Sequence, residues 1–128
     1  MPVIADTTGM SVTPSQFDLL RRLLDAASLR HQVIAQNVAN VNTPGYHRLD
    51  VSFEEALARE LPRTDDHRMP QVKPVVIEPP DGTMRPDGNN VDIDAEMGRL
   101  NKNSLLYGAY SQIMAAKIAA MRAAISGR

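Results

Sequence analysis

The 128-residue sequence predicts a mainly α fold, in which long N- and C-terminal helices pack as a coiled-coil-like pair with a short irregular/β middle segment between them. Three observations carry this. Two stretches repeat apolar residues at alternating steps of three and four, the spacing of a helix seam. Most of the nine prolines lie between residues 43 and 90, so the regular structure is confined to the two ends. Cysteine is absent and no apolar run reaches membrane-spanning length, so neither a disulfide framework nor a transmembrane helix organises the chain. The expected divisions are a flexible tail at 1–14, an N-terminal helix and Asn-rich turn at 15–46, an irregular middle at 47–90 and a C-terminal helix at 91–128.

The first helix begins at Thr13-Pro14-Ser15-Gln16. Thr13 is a capping residue, Pro14 suits the first helical position, and Gln16 can reach back as in a capping box. Phe17, Leu20, Leu24, Ala27, His31, Ile34, Val38 and Val41 then form a heptad seam, widened by Leu19, Leu23 and Val33. His31 interrupts it as a polar residue of the kind that fixes register. The helix is expected to run to about residue 41. Asn42 tolerates the left-handed conformation, and Thr43-Pro44-Gly45-Tyr46 suits a type II turn. Asn37, Asn40 and Asn42 disfavour helix by propensity, so side-chain bonds to the backbone are expected to brace this turn.

His47 to Phe53 alternates polar and apolar residues, as a short strand does, and Glu54 to Leu61 reads as a short helix stopped by Pro62. From Arg63 to Asn90, Val75-Val76-Ile77 is the only apolar run, which predicts extended or mobile structure. Asp87-Gly88-Asn89-Asn90 reads as a turn feeding the second helix, which Asp92 or Asp94 caps. That helix carries a second seam: Met97, Leu100, Ser104, Tyr107, Ser111, Met114, Ile118, Met121 and Ile125. Between Ile113 and Ile125 only Lys117 and Arg122 are polar, so the helix is apolar on nearly every side. One partner helix covers one stripe, so such a segment calls for further neighbours.

Several function classes are excluded by what the residues lack. Formal net charge is −1, and aromatics are 4% of the chain, too few for the stacking platforms of a single-strand binder, so no nucleic acid partner is expected. The three histidines, His31, His47 and His67, share no metal-ligand spacing, and Asp87 to Asp94 departs from a calcium loop where glycine and glutamate are needed. The adjacent carboxylates Glu54-Glu55 and Asp65-Asp66 point in different directions and make no acid/base pair. No nucleophile elbow or phosphate-cradling loop is present, so neither a catalytic site nor a cofactor is expected. The N-terminal residues lack the basic start of a cleavable signal peptide.

The run Asn37-Val38-Ala39-Asn40-Val41-Asn42-Thr43-Pro44-Gly45-Tyr46 resembles the signature of the bacterial flagellar basal-body rod protein family. Arg30 to Gln36 before it, Asp50 to Leu57 after it and Asn90 to Met97 at the second helix extend the likeness toward the short, proximal rod members. It covers residues 15–60 and 87–127, and His47 stands where the family usually has Lys or Arg. The resemblance implies a structural subunit, passed through the flagellar export apparatus, that self-assembles by its terminal helices into the periplasm-spanning drive shaft for motility. Its implied partners are other copies of itself, other flagellar rod proteins, and the MS-ring with its adaptor protein at the rod base. The expected assembly interface is then Leu20, Leu24, Ile34, Val38, Leu100, Tyr107, Met114, Ile118, Met121 and Ile125, with Asn37, Asn40, Asn42, Thr43, Pro44, Gly45 and Tyr46 shaping the turn. The competing reading is a helical adaptor that binds one partner through its C-terminal helix without polymerising.

Overall fold

The computed structural model describes residues 14–61 and 71–127. The elements are α1 (Pro14–Ala39), β1 (Asp50–Ser52), α2 (Glu54–Glu60), β2 (Val75–Ile77) and α3 (Ile93–Ser126). The Thr13 cap, the tail before Pro14, the Pro62 stop and the middle stretch 63–70 lie outside the described residues.

The two long helices pack together over their length. At about 1.5 Å per residue, the 26 residues of α1 span about 39 Å and the 34 of α3 about 51 Å. They run antiparallel. Asn37 bonds Glu96, Arg30 and Ala27 bond Asn103, and Lys117 bonds Gln16. The spacing from Gln16 to Asn37 equals that from Glu96 to Lys117, so one register holds from end to end. Beyond Lys117 the last turns of α3 extend past the described start of α1.

α1 works with two faces, which is why its apolar stripe is wider than one seam. Leu20, Ala27 and Ile34, seven residues apart, are buried on the face that carries the bonds to α3. A second stripe meets the middle of the chain, where Ala26 packs with Phe53 and Leu57, and Leu19, Leu23 and Val72 close around them. Leu24 and Val38 are half-buried.

On α3 alternate positions of the expected seam shift by one residue, to 96, 103, 110 and 117, while Leu100 and Met114 stay on it. Glu96 and Asn103 are buried, and Leu100, Tyr110, Met114 and Lys117 continue the same stripe half-buried. Met97, Ser104 and Ile118, expected inside, are exposed. The reason is chemical. The inner positions at 96, 103 and 117 are polar and bond across to α1, so hydrophobicity alone misplaces them. His31 is likewise exposed, and at the middle of the pair it is Asn103 that is buried, its amide donating to the Ala27 carbonyl at 2.7 Å.

The middle segment is more ordered than its composition predicts. β1 and β2 pair antiparallel, with Asp50, Val51 and Ser52 opposite Ile77, Val76 and Val75. The expected strand from His47 shrinks to three residues because the backbone before it is engaged elsewhere: Arg48 N–H donates to Asn90 and Leu49 N–H to Asn37. Asp92 is the α3 cap, accepting from the amides of Asp94 and Ala95, and Gly127 ends the helix at φ 69°.

Candidate functional site

Where α1 ends and α3 begins, a buried polar hub joins four stretches of the chain. Asn37 is fully buried and uses both ends of its amide. Its nitrogen donates to the Leu49 carbonyl at 2.8 Å and to Glu96 at 3.1 Å, and its oxygen accepts from Leu49 N–H and the Tyr46 hydroxyl, each at 2.9 Å. Glu96 accepts in turn from Arg48 Nε at 2.9 Å and Arg99 at 2.6 Å. Arg48 also pairs with Asp81 at 2.9 Å and Asp50 at 3.2 Å. Each buried side-chain polar atom among the described residues has a partner, which a charge pair withdrawn from water requires.

Burial works against the Arg48 charge, but the hydrogen bonds to Glu96 and Asp81 outweigh it and hold the guanidinium above its ordinary range. Burial also raises Tyr46, with the Glu96 charge adding to it, so the phenol remains a donor to Asn37. Above the ordinary tyrosine value of about 10 the unfolded chain ionises first, and stability falls as pH rises.

The turn at the foot of α1 is clamped from outside. Asn40 donates to the Gln36 carbonyl at 2.8 Å and accepts from Thr43, so α1 stops at Ala39, two residues sooner than expected. Tyr46 N–H closes onto Thr43 at 3.2 Å, and Gly45 takes φ 74° between them. The loop before α3 then grips this turn. Asn89 donates to the Asn40 and Thr43 carbonyls at 2.9 and 2.8 Å, Asp87 accepts from Gly45 N–H at 2.8 Å, and Arg85 reaches the Val41 carbonyl. Gly88 takes φ 80°, a conformation that favours glycine, and a Cβ there would make ordinary contact with Gly45 Cα at 3.4 Å. Pro44 and Asn42 are exposed, and Asn42 takes no part in the hub. His47, also exposed, meets Glu78.

Gly45 has open space around it, so the cost of a side chain there is conformational. Gly45→Val is expected to destabilise by about 1–3 kcal/mol, and Gly45→Asn by less, because asparagine tolerates positive φ. Thermal melts check the order, and equal melting temperatures for the two variants would remove the turn from the account.

Of the expected interface residues, the structure buries Leu20 and Ile34 and half-buries Leu24, Val38, Leu100 and Met114 within the chain's own helix pair. Tyr107, Ile118, Met121 and Ile125 are exposed, together with Met97, Leu105 and Ile113, so α3 presents apolar side chains to solvent along most of its length. Reading the sequence missed Arg48, Glu96, Asn89 and Asn90. Their sequence neighbours, His47 and Leu49 beside Arg48 and Ala95 and Met97 beside Glu96, are exposed or half-buried, so no run of buried residues marks either one. Among the described residues no helix is long and apolar enough to cross a membrane, and no three metal-ligating side chains cluster.

Comparison with known proteins gives this arrangement a family. Residues 24–47, the second half of α1 and the clamped turn, match the family model described as "Flagella basal body rod protein". The flagellar basal body rod protein FlgB of Borrelia hermsii is 36% identical over 124 residues, covering 83% of this chain and 92% of the relative. The FlgB of Bacillus subtilis is 29% identical over 127 residues, covering 92% and 98%. That of Salmonella typhimurium is 26% identical over 122 residues, covering 81% and 88%. A helix hairpin closed by a polar hub, matched over nearly the whole length of these relatives, belongs to the FlgB family of flagellar basal body rod proteins.

Proposed function

We propose that this chain is a structural subunit of the flagellar rod, and that it joins other copies and other rod proteins through the outward surface of its terminal helices. One observation carries the reading: α3 is apolar on the side its own partner does not cover, with Ile118, Met121 and Ile125 at 40%, 42% and 83% exposure. A monomer that keeps such a surface in water has no gain from it, whereas a subunit buries it against neighbours. Contacts between unlike surfaces that do not close on themselves extend into a filament, the form a drive shaft needs. The hub sets the angle between the helices, and the helices supply the contacts. Delivery through the flagellar export apparatus, and contact with the MS-ring and its adaptor at the rod base, belong to the same proposal.

Amide hydrogen exchange on the purified chain tests it. Protection is expected from Glu96 to Lys117, where α3 has its partner, and fast exchange from Ile118 to Ser126, where it awaits one. A monodisperse sample protected through Ser126 would mean a self-sufficient helical unit and would overturn the assembly reading.

A further inference from the structure

The middle of α3 carries a surface more specific than its overhanging end. Leu105 is 76% exposed, the most of any large apolar residue on the length of α3 that runs beside α1. Gly108 and Ala109, one turn further on the same side, add no bulk, so the leucine stands proud of the helix.

At the same height a recess of about 400 Å³ opens between α1 and α3. Ala27, Ser28 and Ser104 contribute small side chains to it, and His31, Gln32 and Tyr107 contribute longer ones. None of the described residues that line it is Asp, Glu, Lys or Arg, whereas Arg48, Arg85 and Asp81 line the recess beside the hub. His31, Ser104 and Tyr107 hold places in the heptad spacing of the two helices, yet the chain's own seam leaves all three exposed. A heptad position left outside one seam is open to a knob from another helix. Leu105 follows Ser104 directly, and successive side chains diverge by about 100° around a helix. The knob and the recess thus share one level and open on different faces, so a chain cannot fill its own recess.

We propose that Leu105 of one copy inserts into the recess between α1 and α3 of the next copy, the two chains standing parallel at one height. The contact rests on the reading of the chain as a rod subunit and names a second copy as the lateral partner of its helices. Both halves of the contact are present on the one chain: an uncharged recess with room for a leucine, and a lone leucine at its level. Because the two faces lie about 100° apart and not opposite each other, each contact turns the next copy about an axis along the helices. Unlike surfaces joined in this way build a curved row. Ile118, Met121 and Ile125 are left for other neighbours.

Cysteine cross-linking tests the contact, since the chain has no cysteine of its own. A flagellated strain carries Leu105→Cys with Ser28→Cys as its only copy, and its isolated basal bodies are oxidised and run on non-reducing gels. Both positions are exposed on helices, and cysteine remains a small apolar side chain at position 105. The expected result is a ladder of dimers and larger species that collapses on reduction, with each single variant monomeric. Leu105→Cys with Arg59→Cys, exposed on α2, should give no ladder. Leu105→Asp, with an unchanged circular dichroism spectrum, should be lost from basal bodies. Four results would overturn the contact and leave the rod reading standing: a double variant present but uncrosslinked, a single variant that dimerises, an Arg59 pair that cross-links equally, or Leu105→Asp present at the parent's level. A parent chain absent from basal bodies would overturn both.

Discussion

Glu96→Leu is expected to destabilise the chain by about 3–5 kcal/mol, the cost of leaving a buried charge without its innermost partner. Arg48 is 3% exposed and Glu96 is wholly buried, so water cannot take over for either. The loss spreads further, because Glu96 also accepts from Asn37 and Arg99. Arg48→Met should cost a similar amount for the converse reason. The double variant is the informative one. With both charges gone no uncompensated ion remains, and replacing such a pair by apolar residues is often near neutral. Its loss should therefore be smaller than the two single losses together, with a coupling of at least about 1 kcal/mol in a urea-denaturation cycle. Additive losses would mean that the pair is not the keystone of the hub.

Ile118→Glu combined with Met121→Glu should separate folding from assembly. Both side chains lie past the Gln16–Lys117 contact and are exposed, Ile118 at 40% and Met121 at 42%. Changes at such exposed positions usually move stability by no more than about 0.5 kcal/mol. In a cell that depends on this chain for its flagellum, the same pair of substitutions places two carboxylates in the surface proposed to be buried between subunits. Unpaired charges there should abolish rod formation and motility. A motile strain carrying the double variant would show that this surface stays in water, and a drop in melting temperature matching the motility loss would point to folding instead.

The two long helices were legible because their length lets periodicity accumulate, and the turn at Pro44-Gly45 because those residue types fit few conformations. Leu100 and Met114 were legible on the C-terminal seam, but its alternate positions were not. Periodicity counts apolar residues, and at Glu96, Asn103 and Lys117 the chain buries or half-buries polar ones that find partners on the opposite helix. Pairing of β1 with β2 was hidden for a different reason. Val75-Val76-Ile77 has no alternation to read, and its partner lies across a stretch rich in proline and charge. Asn89 and Asn90 look like ordinary turn residues in the sequence. Only with Asn40, Thr43 and Arg48 beside them in space do their amides become the fastening of the turn.

The hub also sets when the chain can fold. Its bonds join residues 12, 48 and 59 positions apart, from Asn37 to Leu49, Arg48 to Glu96 and Asn37 to Glu96. Synthesis runs from the N-terminus, so α1 is complete long before Glu96 leaves the ribosome. Until then Asn37 and Arg48 have no buried glutamate to meet, and the α1 face for α3 has nothing to pack against. A hub built from such distant contacts closes only when its last partner has been made. The hub therefore cannot close until three quarters of the sequence has been made, and the packing of the two long helices waits on its second half.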